Sequence, residues 1–125
     1  MLIIDDDKTI NLNRGDVAII SVSAEDGNEE DYIFTAGDVV RLTITKAKDT
    51  GAVVLQKDVV VGEEATTIVD ISLGKEDTKI GELINKPVTY WYEIEVNPDT
   101  NPQTIIGYDK SGPKKFILYP EGGDV

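Results

Sequence analysis

Two residue types are missing altogether: the 125-residue sequence contains no cysteine and no histidine. Absent cysteine excludes a disulfide framework, a thiol nucleophile and cysteinyl zinc, while leaving the compartment open. Absent histidine removes the commonest transition-metal ligand and the usual general base near neutral pH. What survives is carboxylate chemistry and oxygen-ligated calcium or magnesium. Basic residues are scarce as well. Twelve Lys and Arg stand against 24 Asp and Glu, a formal charge of -12. Such a field repels phosphate backbones and anionic bilayers, so neither nucleic acid nor membrane is expected as a partner. Long apolar runs are also lacking. The opening "MLIIDDDK" passes at once into three aspartates, which fits neither a leader nor a membrane span, and no signal peptide is expected.

The apolar residues that are present come in short runs rich in Val, Ile, Thr and Tyr. Candidate strands are "TINLN" (9–13), "VAIISVSA" (17–24), "VVRLTITK" (39–46), "AVVLQKDVV" (52–60), "TTIVDISL" (66–73), "VTYWYEIEV" (88–96), "QTIIGY" (103–108) and "KKFILY" (114–119). Gly, Asp, Asn and Pro bound them. Seven or eight such runs in one domain's length predict an all-β sandwich or barrel, a single domain over 1–125 with loosely ordered ends at 1–8 and 120–125. Alternation puts Ala18, Ile20 and Val22, then Val40, Leu42 and Ile44, then Thr67, Val69, Ile71 and Leu73 in the core. Phe116 and Leu118 oppose Ile117 and Tyr119, so the last strand should pack on both faces or carry a bulge. One segment departs from this period. In "GKEDTKIGELINKP" (74–87), Ile80, Leu83 and Ile84 are spaced for a short helical segment near 75–85, with Gly81 and Pro87 limiting its length.

Several stretches invite a functional reading and yield a plainer one. "RGD" at 14–16 matches an integrin-binding tripeptide, but "RGDVAIISV" and "AGDVVRLTI" echo each other, and the second works without the arginine. Each Gly-Asp is therefore expected in a turn that launches a strand. The acidic runs at 5–7 and 25–31 do not space their carboxylates as a calcium loop does. No serine elbow, dinucleotide fingerprint or P-loop occurs, and "LGKEDTKIG" lacks the glycine and lysine placement of the last. With so many acids, a carboxylate pair carries no information about hydrolysis. No catalysis, cofactor or metal is expected.

The C-terminal third carries a resemblance. "KPVTYWYEIEVN", a short loop, then "TIIGYDKSGPKKFILYPEG" resembles the immunoglobulin-like baseplate and minor tail proteins of tailed phages and prophages of Gram-positive bacteria. It looks like the N-terminal domain of the baseplate upper protein and related minor tail proteins. In that family a turn precedes a "YYYDI"-like strand, a hairpin follows, and a strand like "KFxLxPE" closes the domain. Upstream, "LNRGDVAIISV", "GDVVRLTITK" and "AVVLQKDV" are similar to the family's earlier strands. The resemblance implies an immunoglobulin-like sandwich of mostly antiparallel strands. It implies a virion structural protein of the tail or baseplate, made in the host cytoplasm. Its partners would be other tail or baseplate proteins, or copies of itself. Larger members carry a further C-terminal segment for oligomerisation or for attaching receptor-binding proteins. This sequence stops at "YPEGGDV", and the sandwich alone is expected. A carbohydrate-binding module and a bacterial surface or adhesion module are the alternatives.

An assembly module needs protected edges and an accessible contact surface. Lys57, Asp58, Lys114 and Lys115 are expected as charges on edge strands. Val59, Val60 and Val61 cannot all point inward, so Val59 and Val61 become candidate interface residues. In "TYWYEIEV", Tyr90, Tyr92, Ile94 and Val96 share the core face, with Tyr90 or Tyr92 expected to reach a backbone group as a corner tyrosine does. Trp91, Glu93 and Glu95 share the other face and complete the candidate interface. Cover by residues 74–87 is the favoured role of Trp91, with an interface as its main rival.

Overall fold

The computed structural model describes residues 2–25, 30–46, 52–82, 84–110 and 112–121. Its elements are all strands: β1 (Leu2–Ile4), β2 (Ile10–Asn13), β3 (Ala18–Val22), β4 (Val39–Thr45), β5 (Val53–Val60), β6 (Val69–Leu73), β7 (Val88–Val96), β8 (Gln103–Ile106) and β9 (Lys114–Tyr119). Each of the eight runs read from the sequence contains one of them. Alternating apolar residues form strands here because every second side chain has a core to enter.

The larger sheet runs β1-β2-β9-β7-β4-β5, with β8 also on β7; the smaller pairs β3 with β6. All pairings are antiparallel except β2 with β9, which run parallel. On one side of β7, residues 88–92 pair with β9 and 94–96 with β8, so the chain leaves β7 between β8 and β9. One core lies between the sheets. The small sheet contributes Ala18, Ile20, Val22, Val69, Ile71 and Leu73, and the large sheet Ile10, Leu12, Val40, Leu42, Ile44, Ile94, Phe116 and Leu118. Phe34, from the connection between β3 and β4, is fully buried among them. At roughly 1.5–3 kcal/mol for each large apolar side chain removed from water, this set drives the fold.

Both Gly-Asp turns form as the echo predicts. Asp16 N–H donates to Asn13 O and Asp38 N–H to Thr35 O, with Gly15 and Gly37 at φ 86° and 89°. That left-handed conformation is open to glycine and strained for side chains bearing a Cβ. Asp38 also accepts from Thr35 N–H (2.9 Å) and Asn97 Nδ2 (3.1 Å), locking the start of β4 to the end of β7. Arg14 turns inward. Its guanidinium donates to the carbonyls of Ile80 (3.3 Å) and Gly81 (2.8 Å) and pairs with Glu121, so "RGD" is a structural tie. The Tyr92 hydroxyl reaches a backbone group as expected, donating to Lys8 O at 2.5 Å, although this long-range bond is not the local one of a tyrosine corner. Burial, reinforced by the nearby Asp7 carboxylate, pushes the phenol's pKa up and keeps it a donor.

Several expectations are corrected. No helix occurs among the described residues, so the described part of the segment expected near 75–85 is not helical. The amides of Asp77 and Thr78 both return to Gly74 O, and Lys79 N–H to Glu76 O, giving a run of tight turns. Polar side chains compete with helix there. Asp77 accepts from Gly74 N–H (2.8 Å) and Lys57 (3.0 Å), Thr78 Oγ1 donates to Asp16 O (2.8 Å), and Gly81 sits at φ 69°. Residues 2–4 form an edge strand on β2, where a loose end was expected, with Asn11 Nδ2 donating to Ile3 O. Thr67 is exposed, because β6 begins only at Val69. The last strand carries no bulge; it is a central strand, with Ile117 and Tyr119 half-buried on its outer side.

The edge charges divide. β5 is an edge, and Lys57, opposite Leu42, points to the core side and is neutralised by Asp77. An inward charge on an edge strand deters a further strand from adding. β9 is not an edge. Lys114 is buried and held by Asp109 (2.7 Å) and Gly112 O (3.1 Å).

Candidate functional site

The outer face of the large sheet is where side chains are not explained by the core. Cross-strand register sets Trp91 between Thr45 of β4 and Lys115 of β9, Glu93 beside Thr43, and Glu95 beside Arg41. Thr43, Thr45, Trp91, Glu93, Tyr108 and Pro113 line a groove of about 270 Å³, to which Tyr92 and Lys114 also contribute. The walls that do not belong to strands come from the bend between β8 and β9. Gly107 sets that bend: a Cβ there would lie 2.7 Å from Thr104 Cγ2 and 3.5 Å from Glu93 Cβ. The close approach carries the chain over β7 and leaves Tyr108 at 74% exposure beside Trp91.

Trp91 is half-buried, and among the described residues its indole N–H has no hydrogen-bond acceptor. No described residue of 74–87 lines the groove at Trp91, contrary to the expected cover, and Leu83 of that segment lies outside the described residues. Ile80 of that segment joins the core, and Gly81 approaches the Tyr90 hydroxyl, on the opposite face of β7. The strand's two-residue period makes one segment unable to serve both faces.

Charge on this face is unevenly satisfied. Arg41 is held by Asp58 (2.7 and 3.0 Å) and Asp99 (3.0 and 3.2 Å), which keeps the Asp58 carboxyl below the usual range. Lys114 is engaged by Asp109, and Lys115 contributes its charge toward Asp7. Glu93 and Glu95 have no ion-pair partner among the described residues. Burial, followed by repulsion from Glu95, pushes the Glu93 carboxyl above its ordinary value.

The sequence-derived interface residues are thus brought together only in part. Trp91, Glu93 and Glu95 share one surface. Val61 is 7% exposed and belongs to the core, and Val59 lies on the core side opposite Val40, so neither offers a contact surface. The exposed valine of that trio is Val60, at 65%. Tyr108 and Pro113 were not legible as site residues. Their one signal was an aromatic and a proline in a turn-rich connection, "YDKSGP".

A larger groove of about 420 Å³ is lined by Lys8, Ser23, Ala24, Glu25, Asp31 and Tyr32 together with β8. Its aromatic, Tyr32, is spent edge-on against Phe34 (5.0 Å, 68°), and residues 26–29 of its acidic loop lie outside those described. Among the described residues no three acids converge as a metal site would require. Comparison with protein-family models, with curated proteins and with solved structures finds no match in any of the three.

Proposed function

We propose that this chain is an immunoglobulin-like sandwich serving as a structural module of a phage or prophage tail or baseplate, acting by protein contacts without catalysis. The observation that carries the contact role is the outer face of β7, where Trp91 sits half-buried beside an exposed Tyr108. Tryptophan and tyrosine in such a setting are typical anchors of protein interfaces. The strand arrangement supports the immunoglobulin-like part. A β3–β6 pair faces a sheet in which β7 lies between β4 and β9, and β2 runs parallel to β9. The order of segments from "KPVTYWYEIEVN" to "KKFILYPEG" supports the phage part.

The test is capture from a lysate of the producing phage with tagged full-length chain, read by mass spectrometry. Recovery of an identified tail or baseplate protein is expected. Repeated recovery of none overturns the assembly role. Light scattering on the eluted chain reports any self-association.

A carbohydrate-binding module is the second reading, favoured by the same two aromatics bordering one groove. Against it, Trp91 is half-buried and makes no ring contact with Tyr108 among the described residues.

A further inference from the structure

We infer that the Trp91 groove accepts a lysine or arginine side chain from a protein partner. The inference rests on the contact role proposed above and adds the chemistry of what docks. Three observations converge on it. The groove is bounded by an indole and a phenol, whose faces attract a cation. Along the same strand face lie Glu93 and Glu95, the two carboxylates that Arg41, Lys114 and Lys115 leave without an ion pair among the described residues. Finally, the volume of about 270 Å³ lies just below the ~300 Å³ lower end of small-molecule pockets and leaves room for one long side chain.

Electrostatics select the sign of the partner. The chain carries -12, so a second copy meets general repulsion, and a basic segment meets long-range attraction. At short range, Glu93 is already disfavoured in its charged form by burial and by Glu95. A guanidinium or ammonium placed between them relieves that repulsion and stacks its stem on Trp91. The indole N–H, without an acceptor among the described residues, is left to donate to a backbone carbonyl of the incoming segment. A neutral sugar would satisfy the aromatic faces and leave the carboxylate repulsion in place.

Trp91 is the single tryptophan, so its fluorescence reports on this groove alone. Full-length chain is titrated with a capped peptide alternating glycine and arginine, and with the same peptide carrying citrulline, the neutral isostere. A saturable change with the arginine peptide is expected, weakened about tenfold by citrulline or by the Glu93→Gln/Glu95→Gln pair. Equal response to both peptides, or none up to millimolar concentration, overturns the inference. A saturable response to cello-oligosaccharide in place of the peptide overturns it in favour of the carbohydrate reading. The glutamine pair is also taken through the lysate capture. Undiminished recovery of a tail protein sinks the inference and leaves the assembly role intact. Peptide binding with no tail protein recovered sinks the assembly role and leaves the groove's chemistry.

Discussion

Tyr90, Tyr92, Ile94 and Val96 on one face of β7, and Trp91, Glu93 and Glu95 on the other, differ in what accounts for them. The first four are at most 5% exposed and pack against Val40, Leu42, Ile44 and Phe116 of the adjoining strands. Packing and one hydroxyl bond explain all of them. The second set lies outside that core. It pairs an indole whose N–H has no acceptor among the described residues with two acids that repel each other. The lesson is that a residue earns a functional reading when the fold gives it nothing to do. By the same standard Arg14, Lys57 and Lys114, each conspicuous in sequence, lose theirs, because the fold employs them.

The inner face can be broken most severely at its centre. Ile94→Ala should destabilise the chain by about 2–5 kcal/mol in denaturant unfolding, since the side chain is fully buried. Tyr92→Phe keeps the ring and removes only the bond to Lys8 O, for an expected loss of about 1–2 kcal/mol.

Acid should separate the remaining groups by sign. Asp38 and Asp77 are held below 3.8 chiefly by the Thr35 and Gly74 amides. Their folded pKa is depressed, so their stabilisation is present above pH 3.8 and is lost as pH falls through the lower folded values. Glu93 runs the opposite way. Its folded pKa lies above 4.5, so its ionised form costs stability at neutral pH, and acidification through that folded value relieves the cost. Melting temperature should therefore rise slightly as pH drops from neutral, then fall below pH 3.8. Glu93→Gln should erase the small rise, keep the acid fall, and stay within about 0.5 kcal/mol of wild type at neutral pH. A rise that survives in Glu93→Gln would place its origin elsewhere.

Much of the fold was legible because period-two alternation states which residues share a face. Val40 with Leu42, and Tyr90 with Tyr92, needed no further information. What alternation leaves unsaid is which strand lies beside which. The parallel β2–β9 pairing, which makes the last strand central, depends on long-range closure, and it turned Lys114 from an expected edge charge into a buried ion pair. The expected helix failed because three- and four-residue apolar spacing also arises by chance in a polar loop. There Asp77 and Thr78 bond the backbone locally and settle the conformation as turns. Of the candidate site, the strand half was readable and the loop half was not. Trp91 and Glu93 lie on a strand with a known period, whereas Tyr108 reaches the groove only through the bend at Gly107.

The most direct measurement is Trp91→Ala carried through denaturant unfolding and tail-protein capture together, alongside wild type. Cooperative unfolding within about 1–2 kcal/mol of wild type, with capture lost, is the expected result for a side chain that serves a partner. Destabilisation as large as that of Ile94→Ala, or capture undiminished from wild type, would contradict a docking role for this face.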